Sequence, residues 1–173
     1  AGQGFDGGDI TVTGAQQGAT GGGAGANGVN GGTGSATAGG VGLSSSITGS
    51  AVFRAGGGGA GSYSSGEFSS GGNGGGGNGG SGTAGDPHSG VRQGSANYWY
   101  PLSGTANTGG RGGGMGDTNS GTYAAQAGGS GVVILRVRDA DYSGTTTGSP
   151  TIDTSSVADE TILIFNDDGS YTA

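Results

Sequence analysis

Along three stretches of this chain, glycine returns at every third residue. Gly22, Gly25, Gly28, Gly31 and Gly34 form one run. Gly71, Gly74, Gly77 and Gly80 form a second, overlapped in a shifted phase by Gly76, Gly79, Gly82 and Gly85, and Gly110, Gly113 and Gly116 form a third. Three residues per turn is the period of the polyproline-II helix, which rises ~3.1 Å per residue and has no hydrogen bonds of its own. Glycine at each third place leaves one edge of such a helix bare, so another backbone can approach closely; Gly-Gly-X leaves two. In a bundle, each amide can bond sideways to a neighbour, which meets the requirement that buried backbone groups be paired. Collagen shares this geometry but needs abundant proline and an unbroken register, and 3 prolines with interrupted runs exclude it. Glycine opposes both α-helix and ordinary strand. The period therefore predicts a polyglycine-II helix bundle, against two competing readings: irregular but ordered loops, or a flexible Gly/Ser linker.

The glycines are also confined. Of 50 in 173 residues, three (Gly144, Gly148 and Gly169) follow Gly131, leaving 47 up to and including it. Acidic residues run the other way, with seven of 12 after Gly131: Asp139, Asp141, Asp153, Asp159, Glu160, Asp167 and Asp168. This break divides the chain into a glycine-rich domain, 1–131, and a small β unit, 132–173. Within the first part, Asp9–Thr13 alternates with period two and reads as a short strand, and residues 51–55 are a second candidate. Residues 132–137 (Val-Val-Ile-Leu-Arg-Val) make the strongest strand, with Val133, Leu135 and Val137 on one face. Thr151–Asp153, Thr161–Phe165 and Ser170–Thr172 follow, with Asn166-Asp167-Asp168-Gly169 as a hairpin turn between the last two. The expected fold class is a polyglycine-II bundle with short β-strands, a small C-terminal antiparallel β unit and essentially no α-helix.

Composition excludes several chemistries. The five basic residues are Arg54, Arg92, Arg111, Arg136 and Arg138. Without lysine there is neither a P-loop nor a Schiff base; without cysteine there is no thiol nucleophile, zinc knuckle or disulfide framework. A net charge of −7 with no basic cluster argues against nucleic acid as a partner. No apolar run approaches the ~20 residues of a membrane span, and no signal-peptide pattern opens the chain. Its start at Ala1 implies an initiator methionine or longer leader outside this numbering.

The local motifs are weak. Gly2-Gln3-Gly4-Phe5-Asp6-Gly7 fits the dinucleotide pattern but lacks the preceding strand and following helix, and so many glycines produce the match by chance. It half-matches a calcium β-roll repeat, but no tandem copy follows. Asp86-Pro87-His88-Ser89 places acid, histidine and serine too close in sequence for triad geometry, so His88 reads as a loop residue. Asp167-Asp168 reads as turn chemistry rather than a metal site or acid–base pair. Neither a catalytic centre, a metal site nor a cofactor is expected, and the chain reads as a non-enzyme. Residues 85–103 stand apart because His88, Arg92, Asn97, Tyr98, Trp99 and Tyr100 interrupt the glycine runs. Three consecutive aromatics cannot share one face, and such rings beside Asn, Arg and His are common tools for contacting sugars or protein surfaces. The alternative is that these rings seal the end of a bundle short of large side chains.

Four stretches occur in a telling order: residues 42–49 (GLSSSITG), Phe53-Arg54-Ala55-Gly56 onward, residues 104–110 (GTANTGG) and residues 128–136 (GGSGVVILR). Together they resemble the glycine-rich domain of phage tail-fibre and virion-associated proteins, over roughly residues 20–136. The closing residues 161–172 resemble the small β segment that often accompanies it. Distal adhesins on fibres of T-even-like phages use bundled polyglycine-II helices, with variable loops between glycine runs reading the host surface. The resemblance implies a structural virion protein, part of a tail fibre or distal adhesin, with 85–103 as a tip loop. Partners would be further copies of the chain (a trimer or filament), other virion proteins, and a host-surface glycan or protein. Arg111 and Met115 depart from a stretch that is usually nearly pure glycine, and the β tail has no counterpart in those adhesins. An extracellular filament or matrix subunit is the main rival, and a polyglycine ice-binding protein a further one.

Overall fold

The computed structural model describes residues 4–33, 37–62, 69–81, 100–116 and 124–173. Among them there is no α-helix. The elements are β1 (Leu43–Ser45), β2 (Val52–Arg54), β3 (Val133–Arg138), a 3-10 turn (Asp139–Asp141), β4 (Thr145–Thr147), β5 (Thr151–Asp153), β6 (Glu160–Phe165) and β7 (Ser170–Thr172). They form small antiparallel sheets ordered β1-β2, β3-β6-β5 and β4-β7.

The glycine-rich residues lie almost entirely outside strands, yet their backbone is hydrogen-bonded sideways. Donors to a given neighbouring segment recur every third residue. Gly56, Gly59 and Ser62 donate to Gly74, Gly77 and Gly80; Gly18, Gly21 and Ala24 donate to Gly61, Gly58 and Ala55, a pairing of opposite direction. Arg111 and Gly114 likewise donate to Gly56 and Gly59, at 2.9 Å each. Segment 55–62 is the centre of this network, flanked by 16–24, 37–42, 69–73, 74–81 and 108–116. The reason for glycine there is contact distance. A Cβ at Gly57 would stand 2.0 Å from the Gly21 carbonyl oxygen, and one at Gly58 would stand 2.0 Å from that of Gly112. Backbones packed this closely leave little room for side chains, so the interior is built chiefly of peptide groups.

The β unit has a conventional core. β6 is the middle strand, and Ile162 and Leu163 on its two faces are fully buried. Leu135 of β3 and Ile152 of β5 flank Leu163, while Val133 pairs with Phe165 and Ile134 with Ile164. Arg136 forms an ion pair with Glu160 on the neighbouring strand. Thr161 is buried and its hydroxyl donates to Asp139 Oδ1 at 2.7 Å. The unit meets the β1–β2 hairpin, where Arg136 Nη1 approaches the Ser46 carbonyl at 3.5 Å.

Two sequence expectations change. Residues 9–13 are not a strand: Ile10 makes a single parallel bridge to Gly31, and the chain turns at Gly14, whose φ is +76°. The Asp9 amide is taken by Asn30 Oδ1 at 2.8 Å while its carbonyl accepts from the Gly31 amide at 2.9 Å, so a single backbone bond stands where a strand ladder is expected. Residues 166–169 turn the chain but do not close a hairpin. β6 pairs with β3 and β5, while β7 pairs with β4. The long apolar β3 supplies a matching partner for every residue of β6, whereas the short polar β7 finds its ladder with the threonines of β4. Strands β2, β3, β5, β6 and β7 fall where the sequence places them, within a residue or so.

Candidate functional site

The site is best built from one end of the glycine-rich network. Gln17, Ser62, Ser69 and Ser81 are polar residues no more than 5% exposed. Ser62 bridges both Gln17 and Ser81, Gln17 also bridges Gly32, and Gln17 Nε2 reaches Ser69 Oγ at 3.4 Å. A Cβ at Gly116 would lie 1.9 Å from the Ser62 carbonyl oxygen, so Gly116 belongs to the same cluster. Small hydroxyl side chains suit this place, because they fill little space and can bond to the crowded backbone.

Thr33, Ser62, Ser81 and Gly116 are the described residues at which the chain leaves toward 34–36, 63–68, 82–99 and 117–123. Thr33 directly follows Gly32, which is bridged to Gln17, and the other three belong to the cluster itself. All four therefore lie at one end. The other end is closed by short connections. These are a turn at residues 24–26, the β1–β2 hairpin, a turn at 73–75 with Gly74 and Gly75 at φ of +106° and +92°, and the turn at 106–109. That end also meets the β unit. The glycine-rich part thus has a braced end and an opposite end at which Thr33, Ser62, Ser81 and Gly116 gather.

Of the residues singled out for surface binding, His88, Arg92, Asn97, Tyr98 and Trp99 lie outside the described residues. Tyr100 is half-buried and Pro101 is buried. The Leu102 amide then donates to the Asn78 carbonyl and its own carbonyl accepts from Gly113, both at 2.9 Å. The exit from the aromatic segment is therefore tied into the network on two sides.

Elsewhere, Asp167 and Asp168 border a cleft of about 260 Å³ with Val133, Leu135, Phe165 and Tyr171. Among the described residues no group of His, Cys, Asp or Glu is arranged to hold a metal ion. Asp153 caps the turn after β5: Ser156 and Ser155 donate hydroxyl and amide hydrogens to its carboxylate. These bonds, the Ser156 hydroxyl foremost, hold its pKa far below the usual carboxylate range. Tyr142 and Tyr171 stack with ring centroids 5.9 Å apart, and the Tyr171 hydroxyl donates to the Asp141 carbonyl. These are turn and packing interactions, and none assembles a nucleophile with a base. No described helix is long and apolar enough to cross a membrane.

Sequence reasoning missed the buried Gln17/Ser62/Ser69/Ser81 cluster. Its only signal is that a polar residue of small or medium size falls where each glycine run gives way to an insertion. No family model, curated protein or solved structure matches this chain.

Proposed function

We propose that the protein is a non-enzymatic structural component of a virion, part of a phage tail fibre or distal adhesin, and that its glycine-rich part is a polyglycine-II bundle. The recurrence of sideways donors at every third residue supports the bundle, since a three-residue turn repeats its hydrogen-bonding direction at that interval. The observation that carries the function is the gathering of Thr33, Ser62, Ser81 and Gly116 at one end. A scaffold braced at one end, with these four residues gathered at the other, suits display, and binding residues are commonly carried on loops held by a rigid frame.

On this reading, residues 85–103 contact a host-surface glycan or protein through His88, Arg92, Asn97, Tyr98, Trp99 and Tyr100. Further copies of the chain and other virion proteins are its structural partners, and it works without a cofactor. The test is adsorption of particles, or binding of purified protein to host cells, after the double substitution Tyr98→Ala with Trp99→Ala. At least a roughly tenfold loss is expected, in line with the energies of aromatic contact residues; unchanged adsorption removes the assignment to this segment. Electron microscopy of the purified protein separates the rival filament reading, which requires open-ended polymers where this reading requires closed oligomers.

A further inference from the structure

The central segment 55–62 has neighbours around only part of its circumference. Following the hydrogen bonds, 16–24, 37–42, 69–73, 74–81 and 108–116 succeed one another around it, each bonded to the next. The circle does not close. Between 108–116 and 16–24 no backbone bond is made among the described residues, and a groove of about 370 Å³ opens there. Gly58 and Gly61 lie on its floor, Ala19 and Gly21 on one wall, Arg111 and Met115 on the other. In a hexagonal packing of three-fold helices this is the position of a sixth neighbour.

Two observations give the groove its chemistry. The carbonyls of Gly58 and Gly61 accept from Gly21 and Gly18, but the amides of the same two residues donate no hydrogen bond among the described residues. Gly58 is buried, and an unpaired buried amide is costly. Arg111 and Met115, the two interruptions of the third glycine run, stand on this open side. Arg111 Cβ is 3.5 Å from a Cβ position at Gly58, and its Cδ is 3.3 Å from one at Gly21, so its stem reaches from one wall to the other. A side chain covers the place where a backbone is missing.

We infer that this groove is a binding site for an extended, glycine-rich polypeptide segment of a partner chain, which enters as the sixth neighbour of 55–62 and supplies carbonyl acceptors to the Gly58 and Gly61 amides. The inference rests on the polyglycine-II reading. Glycine is favoured because three of the existing neighbours, 16–24, 108–116 and 69–73, approach so closely that a Cβ on Gly57, Gly58 or Gly59 would sit 2.0 Å from one of their carbonyl oxygens. Arg111 must swing out as the segment enters.

The test titrates the isotope-labelled full chain with a capped peptide copying residues 71–80, followed by NMR. Saturable shifts are expected at Gly18, Gly58 and Gly61, with slowed exchange of the Gly58 and Gly61 amides. A control peptide with alanine at each glycine should not bind. Ala19→Phe and Met115→Trp, which fill the groove from opposite walls, should each weaken binding at least tenfold, and Arg111→Ala should strengthen it severalfold. Concentration-dependent self-association abolished by Ala19→Phe would make the occupant a segment of a second copy and supports the same site. Absence of saturable shifts in the groove, or binding indifferent to both filling variants, overturns the inference while the three-residue bonding pattern of the free protein persists. Absence of that pattern overturns the bundle reading as well.

Discussion

At the scale of residues, this protein replaces side-chain packing with the exclusion of side chains. Gly57→Ala or Gly58→Ala would force a methyl into a carbonyl oxygen 2.0 Å away and separate paired peptide groups. Each is expected to destabilise the protein by at least about 2 kcal/mol in denaturant titrations, the scale of overpacking in a tight interior. Gly131→Ala is the control, since nothing lies within 4 Å of its Cβ position, and it should change stability by less than about 0.5 kcal/mol. The opposite chemistry governs Asp153. Its folded pKa lies below the ordinary value near 3.8 because Ser156 and Ser155 bond the ionised carboxylate. Its contribution is therefore full above about pH 4 and is lost as the pH falls through and below that range. Asp153→Asn should flatten the acid limb of a stability–pH profile between roughly pH 5 and pH 2 and leave the neutral limb parallel to wild type.

The scale of elements shows what was legible in the sequence and what was not. Apolar and β-branched residues set between turn-like segments located β3, β5 and β6, because strands draw on such residues and turns punctuate them. β1 and β4, Leu-Ser-Ser and Thr-Thr-Thr, carry no such alternation; both exist through their partners, β2 and β7. The turn at 166–169 was legible from composition, but the pairing of the strands on either side was decided by competition for β6, which local sequence does not record. In the glycine-rich part the period of three was legible, whereas which segment lies beside which was not, since bare glycine edges are alike. Site prediction suffered similarly: an aromatic cluster stands out in the sequence, while a buried serine such as Ser62 does not. For the β unit, burial ranks the expected losses. Leu163→Ala on the fully buried middle strand should cost about 2–5 kcal/mol, and Ile152→Ala, 45% exposed on the edge strand, clearly less. Chemical denaturation of the two variants checks the order.

At the scale of the whole molecule, order without a large hydrophobic core is the feature to explain. Of the described residues, only Ala60, Ile162, Leu163 and Phe165 are buried hydrophobics, and three of these belong to β6. Stability of the glycine-rich part must come from backbone hydrogen bonds, each worth about 0.5–1.5 kcal/mol net, and from close backbone packing, set against the large conformational entropy of glycine. Such a network holds together only collectively, and one of its ends is braced by turns and the β unit. The most direct measurement is NMR detection of scalar couplings across the hydrogen bonds of the central segment. The account predicts couplings from the Gly56, Gly59 and Ser62 amides to the Gly74, Gly77 and Gly80 carbonyls, three residues apart on both sides. Rapidly exchanging amides at these positions, without couplings, would contradict it.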